Sequence, residues 1–175
     1  MQILDASSAS CLVYTFKEGL LSRVGHDLQL SVARFSIQWS PDGTVEAEFD
    51  PASLRVDCAL KRGTPDHRAL SPKDKADIDE RTRSKVLHTS RHPDIRFAGV
   101  ATREDDGRVQ VSGDLHLHGA VRPLRATAHP RGKELVLRVR LMQPDFGIVP
   151  FSALMGTLRI KPEVDVELRI QMPQA

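Results

Sequence analysis

Cysteine and aromatic residues are scarce in this sequence of 175 residues. The chain has two cysteines, Cys11 and Cys58, and no Cys-x-x-Cys pair, which excludes a disulfide-rich scaffold and a cysteine-rich zinc site. Each cysteine lies in an alternating apolar segment, so we expect two buried thiols; the sequence leaves a disulfide between them open. Aromatic residues make up 5% of the chain, so aliphatic and small side chains must supply most of the interior.

An excess of charge of one sign is also absent. The chain has 25 Lys and Arg against 23 Asp and Glu, and its basic residues do not cluster with aromatic ones, which argues against a nucleic-acid partner. No apolar run approaches the roughly 20 residues that span a bilayer, and the N-terminus lacks the basic start and apolar core of a signal peptide. We therefore expect a cytoplasmic protein that is not an integral membrane protein, and a homodimer remains open.

The dominant pattern is alternation with a period of two, which predicts β-strands with one buried face. The segment "HDLQLSVARFSIQW" (26–39) changes parity in its middle. Its first apolar residues, such as Leu28 and Leu30, occupy even positions, whereas Phe35 and Ile37 occupy odd ones. A β-bulge near 33–34 would keep both sets on one face and bend the strand, as closing a sheet into a barrel requires.

One segment departs from this alternation. Ser71, Pro72 and Asp74 form a helix start signal, and the charged sequence after them predicts one helix over about 72–89. The other segments are joined mostly by short turns, which favours antiparallel pairing. We predict a single domain over 1–175, mainly β, forming an antiparallel β-barrel of about eight strands with one inserted α-helix.

Five segments form a series along the chain: "ARFSIQW" (33–39), "FDPASLRVDCAL" (49–60), "DIDERTRSKVLHTSRHPDIRFAG" (77–99), "GDLHLHGAVRPL" (113–124) and "PDFGI" (144–148). In this order the series resembles the YceI-like family, and the resemblance covers nearly the whole chain. It implies a lipocalin-like β-barrel of the polyisoprenoid-binding type, because several members of that family hold an isoprenoid or other amphiphile in a central cavity.

Within the fourth segment, leucines and histidines lie on opposite faces of one predicted strand. Leu115 and Leu117 share parity with Val109 and Val111, so we expect this face to look inward and the histidines to look outward or toward the rim. The candidate ligand-binding residues, in the cavity or at its rim, are the apolar residues expected to face inward, with two histidines placed to reach a polar head group: Leu28, Leu30, Phe35, Phe49, Val56, Phe97, Leu115, Leu117, Phe146, Phe151, His26 and His118.

The predicted function is non-catalytic carriage or storage of a long apolar or amphipathic molecule in the barrel cavity, such as an isoprenoid quinone, another isoprenoid or a fatty acid. One alternative is a protein-interaction or structural module whose barrel is packed solid. Another is a metal-dependent enzyme that uses the histidine face, with His116 and His118 as ligands and His26, Asp27, His88 or His92 as further candidates. The sequence has no local third ligand and no Gly-x-Ser-x-Gly elbow, so we predict neither a metal site nor catalytic residues.

Two apolar loops stand apart from the strands. "GLLSRVG" (19–25) contains Leu20, Leu21 and Val24, and "GIVPFSALMG" (147–156) contains Met155. Both are expected at one end of the barrel. They fit a fixed plug and a mobile portal equally well, because an apolar loop can serve either purpose.

Overall fold

The computed structural model describes residues 1–171 apart from Ser22 and Val24. In this part of the chain thirteen strands form one sheet: β1 (Gln2–Leu4), β2 (Ala9–Glu18), β3 (Asp27–Val32), β4 (Phe35–Trp39), β5 (Thr44–Phe49), β6 (Leu54–Lys61), β7 (Thr64–Asp66), β8 (Ile95–Arg103), β9 (Val109–Leu117), β10 (Ala120–Arg131), β11 (Glu134–Met142), β12 (Ser152–Ala153) and β13 (Leu158–Gln171). One α-helix, α1 (Pro72–Arg81), continues into a π-helical turn, Thr82–Val86.

The sheet is antiparallel and curls into a barrel-like enclosure. Its strand order is β1-β4-β5-β8-β9-β10-β11-β13-β2-β3-β6-β7, with β12 paired to β13. Because β3 and β4 are successive halves of one bent strand, the sheet returns to the strand from which it started. The predicted fold class is confirmed. The strand count exceeds the expected eight because bent segments are divided at their bends and because short strands such as β1, β7 and β12 carry little periodicity.

The chain bends between β3 and β4, where the sequence predicts a bend. Ala33 and Arg34 lie between the two strands, and the predicted bulge is a break, because β3 pairs with β6 whereas β4 pairs with β5. Asp50 N donates to Arg34 O at 3.0 Å, and Arg34 N donates to Ser53 Oγ at 2.9 Å. The buried Ser53 hydroxyl thus satisfies a backbone group that the bend removes from the ladder.

The N-terminus of α1 also follows the prediction. Asp74 N donates to Ser71 Oγ at 3.1 Å, and Ser71 N donates to Asp74 Oδ2 at 2.9 Å, which completes a capping box. The helical segment ends at Val86, three residues before the predicted end. His88 adopts a left-handed backbone with φ of 46°, so the chain leaves the helix well before Pro93.

Two hydrogen bonds, one of them buried, fasten α1 to a bulge in β6. The register against β3 shifts so that Leu30 pairs with Val56 and Gln29 with Cys58, which leaves Asp57 without a partner on β3. Val56 N donates instead to Asp79 Oδ1 at 2.8 Å. Lys75 Nζ donates to Asp57 O at 2.7 Å. The helix therefore supplies hydrogen bonds that the bulged ladder lacks.

Both cysteines are buried and unbonded, so the disulfide left open by the sequence is absent. Burial raises the pKa of the Cys11 thiol to about 12, which keeps it protonated. Among the described residues, no helix has the length and apolar character needed to cross a bilayer.

Candidate ligand-binding cavity

The inward faces of the strands enclose a cavity of about 520 Å³. At one end the lining is fully covered: Leu4, Cys11 and Leu135 are all buried. At the other end the lining includes the exposed residues His26, Arg81 and Arg159. We call this end the mouth; it lies where β2 ends and where β3 and β13 begin. The interior is hollow, so the packed-barrel alternative does not describe this molecule.

β9 shows how strand alternation builds the wall. Leu115 and Leu117 line the cavity together with Val109 and Val111, whereas His116 lies exposed on the outer face. Successive side chains of a strand point to opposite sides, so a leucine face inward requires a histidine face outward.

A pair of glycines lets β8 and β9 approach closely behind an aromatic ring. Gly99 and Gly113 are direct cross-strand partners. A Cβ on Gly113 would lie 2.6 Å from Gly99 Cα and 2.8 Å from Phe97 Cζ. The Phe97 ring therefore occupies the space that a side chain at 113 would need.

Nine of the twelve sequence-predicted residues line the cavity: Leu28, Leu30, Phe49, Phe97, Leu115, Leu117, Phe146, Phe151 and His26. Three do not. Phe35 is buried behind the wall, stacked on Phe49 with ring centroids 5.6 Å apart. Val56 lies at the bulge in β6 and packs in a second apolar cluster with Ile78 of α1. His118 lies in the turn after β9, where its left-handed backbone turns it away from the cavity.

The wall also contains polar groups that the sequence analysis missed. Thr15 and Lys17 continue the inward parity of Cys11 and Val13 on β2, so alternation alone would have found them. Thr15 Oγ1 is buried and has no hydrogen-bond partner among the described residues. Lys17 Nζ donates to Gly25 O at 3.0 Å, which holds the amine near the mouth. These two side chains offer hydrogen bonds to a polar ligand group in a mostly apolar wall.

Three histidines form a cluster outside the cavity. The ring of His118 lies 4.1 Å from that of His92 and 5.7 Å from that of His88, measured between centroids. His118 Nδ1 lies 3.3 Å from Phe146 O, and its Nε2 atom is buried without a partner among the described residues. Burial, then the neighbouring His92 and His88, lowers the pKa of His118. This grouping joins residues that lie far apart in the sequence.

The histidine face does not form the metal site that the enzyme alternative requires. His116 is exposed and separate from the cluster, and His26 lines the mouth. In the part of the chain that the structure describes, no group of three or more His, Cys, Asp or Glu side chains is arranged to hold a metal ion.

Comparison with known proteins identifies the family to which this chain belongs. The profile of the YceI-like domain matches residues 7–172. The chain belongs to the YceI-like family. No curated protein sequence matches it.

The solved structures that are similar to this YceI-like chain include three from different bacteria. BcnA of Burkholderia cenocepacia has a TM-score of 0.61 at 11% identity, with 93% of this chain and 94% of that chain covered. A polyisoprenoid binding domain from Saccharophagus degradans, described as implicated in plant cell wall breakdown, has a TM-score of 0.61 at 13% identity, covering 98% and 97%. The Campylobacter jejuni YCEI protein has a TM-score of 0.57 at 11% identity, covering 85% of each chain. At these identities the likeness establishes the fold.

Proposed function

We propose that this protein binds one long apolar or amphipathic molecule in its cavity and carries or stores it without chemical change. The observation that carries the proposal is the hollow apolar interior of about 520 Å³, which opens at a mouth bearing cationic and hydrogen-bonding groups. This volume is typical of small-molecule pockets, which span roughly 300–1,000 Å³. An isoprenoid, an isoprenoid quinone and a fatty acid all fit this description. The similarity to a structure described as a polyisoprenoid binding domain supports the first two.

The apolar wall supplies part of the binding free energy. At about 0.3 kcal/mol per heavy atom, a chain of roughly 20 carbons gains ~6 kcal/mol, which corresponds to a dissociation constant of tens of micromolar. Tighter binding needs a polar contact. Thr15 and Lys17 are placed to supply one, because the Thr15 hydroxyl is unsatisfied inside the wall and Lys17 lies near the mouth. Because these polar groups lie toward the mouth, we expect the apolar chain of the ligand at the closed end and its polar group at the mouth.

Native mass spectrometry of protein purified without detergent, followed by organic extraction, tests this proposal. We expect a bound lipid or, for protein stripped by extraction and refolded, stoichiometric uptake of a long-chain quinone or fatty acid. Recovery of no lipid together with no uptake of either probe would contradict the proposal.

A substitution that fills the cavity tests the proposal, with a substitution on the outer face of the same strand as its control. Val111 lines the cavity, and its cross-strand neighbours in the sheet are the small residues Ala101 and Ala126. A Val111→Trp side chain can therefore extend into the cavity past them. We expect the affinity for a long-chain fatty acid to fall at least about tenfold, or ~1.4 kcal/mol. Gln110→Trp is the control, because Gln110 lies exposed on the outer face of the same strand. Equal binding by both folded variants would place the ligand elsewhere.

A further inference from the structure

Five large apolar side chains stand exposed on the two loops that border the mouth. Leu20 is 89% exposed, Val149 79% and Met155 fully exposed, and Leu21 and Leu154 are also exposed. We call these five residues the rim surface. The two loops are joined, because Leu21 N donates to Thr157 O at 2.9 Å. The two loops therefore lie side by side at one edge of the mouth.

The backbone of the second loop holds this edge out in solvent. Leu154 and Met155 both adopt left-handed conformations, with φ of 52° and 57°. Two successive non-glycine residues in this region are uncommon and strained. A strained backbone lowers stability and an exposed methionine lowers solubility, so neither feature is expected in a loop that only connects strands. An exposed apolar group of this kind marks a surface that contacts another apolar phase.

Basic residues lie beside the rim surface. Segments 19–26, 81–92 and 147–161 carry the basic residues Arg23, Arg81, Arg83, Lys85, Arg91, Arg159 and Lys161. Acidic residues stand one or two positions outside the ends of these segments, at Glu18, Asp27, Glu80, Asp94, Asp145 and Glu163. Arg81 and Lys85 border the same shallow depression as Val149, and neither has a carboxylate within ion-pair distance among the described residues. Arg159 is paired with Glu18 at 3.8 Å, and Arg83 with Glu80 at 3.2 Å.

We propose that the rim surface docks on an anionic lipid bilayer. Apolar side chains enter the interface between head groups and acyl chains, while Arg81 and Lys85 face the anionic lipid head groups. Docking in this orientation places the mouth against the membrane. A molecule of low water solubility then passes between the bilayer and the cavity without crossing bulk water, a step that adds to the proposed carrier function and can be measured separately from it.

Sedimentation with lipid vesicles tests the docking. The probes are vesicles of phosphatidylcholine alone and of phosphatidylcholine containing phosphatidylglycerol. We expect the protein to bind the anionic vesicles, with binding that weakens as salt is raised because the basic contribution is screened. The double variant Leu20→Asp with Met155→Asp should lose at least about tenfold in vesicle affinity. Lys85→Gln should reduce binding to anionic vesicles only.

The control is a double variant on the barrel wall. Val100→Asp with Val121→Asp introduces the same charges at two valines that are 50% and 45% exposed on the outer surface, and it should bind vesicles like the unchanged protein. Absence of wild-type binding to either vesicle would overturn the proposal, and so would undiminished binding by the rim variant. Sedimentation velocity tests whether the rim surface instead binds a second copy of the chain. A dimer that the rim variant converts to monomer, together with no vesicle binding, would also overturn the proposal.

Lipid extraction from the same preparations separates the two proposals. Neither Leu20 nor Met155 lines the cavity, so the rim variant should retain bound lipid while losing vesicle affinity. Retained vesicle binding with an empty cavity that takes up no probe would contradict the carrier function and leave the docking intact.

Discussion

Thr15 and His118 each hold a buried polar atom without a hydrogen-bond partner among the described residues. Such atoms are uncommon, because an unsatisfied buried group destabilises the fold by about 1–3 kcal/mol. The two atoms differ in their surroundings. Thr15 Oγ1 belongs to a residue of the cavity wall, and His118 Nε2 lies among imidazole rings. The first is available to a ligand, whereas the second responds to protonation.

Thr15→Val should have opposite effects on the free protein and on the complex. Valine matches threonine in shape and removes the unsatisfied hydroxyl, so the stripped protein should be equally or more stable to urea. Affinity for a fatty acid should fall by about 2- to 10-fold, since one hydrogen bond of ~0.5–1.5 kcal/mol is lost. Competition against a fluorescent fatty acid measures this. Thr44→Val, at an exposed position at the start of β5, serves as the control; an equal loss there would contradict the assignment.

The His118 cluster should make stability depend on pH. Burial, His92 and His88 lower the pKa of folded His118, whereas in the unfolded chain its pKa is ~6.5. As pH falls below about 6.5, His118 binds a proton in the unfolded chain but not in the folded chain. The free energy of unfolding therefore decreases until the pH passes the pKa of His118 in the folded chain. Urea unfolding at about pH 7.5 and about pH 5.5 measures the decrease.

His118→Gln should show a smaller decrease between the same two pH values. His129→Gln should behave like the unchanged protein, because His129 is exposed on β10. An identical pH dependence for all three proteins would exclude His118 as its source.

At the scale of elements, α1 acts as a fastened cover beside the mouth. Ile78, Arg81, Thr82 and Val86 line the cavity, so the helix and its π-helical turn complete the wall that the strands leave open. The helix is tied to β6 through Asp79 and Lys75 at the bulge. The bulge is therefore the point at which the helix is held to the sheet.

Asp79→Ala should release this fastening. The buried Val56 N–H loses its acceptor, which should lower the free energy of unfolding by about 1–3 kcal/mol and increase hydrogen exchange over residues 72–86. Asp77→Ala on the exposed face of α1, where Asp77 pairs with Lys73 at 3.1 Å, should change stability by less than about 0.5 kcal/mol. Unchanged exchange in Asp79→Ala would show that other contacts hold the helix.

At the scale of the whole molecule, the hollow interior links ligand binding to stability. A ligand that binds only the folded state stabilises it by RT ln(1 + [L]/Kd), or about 2.7 kcal/mol at 100 times Kd. We therefore expect protein stripped of lipid to unfold at a lower temperature than protein loaded with a fatty acid. Val111→Trp should remove most of that difference. A melting temperature independent of ligand concentration in the unchanged protein would argue against occupation of the cavity.

Much of the fold was determined by local patterning along the chain. The parity change at Ala33–Arg34 predicted the bend, because one buried face cannot continue through a regular strand with both apolar sets. Ser71, Pro72 and Asp74 predicted the start of α1, because an N-cap, a proline at the first helical position and an acid in the first turn are local signals. The leucine face of β9 was assigned from alternation because orientation within a strand is a local property.

Other features depended on contacts between distant segments. Val56 leaves the cavity wall because β6 bulges against β3 and is met there by α1, and no period in β6 alone reveals that bulge. The cluster of His88, His92 and His118 forms where a loop after the helix meets the turn after β9.

The cavity itself is the clearest such case. Its volume depends on how far the curled sheet holds opposite walls apart, compared with the combined size of the side chains between them. Sequence alone determined which faces are apolar, since alternation is a property of consecutive residues. Only the tertiary structure decided that those faces enclose empty space, since the distance between walls is set by the whole curled sheet.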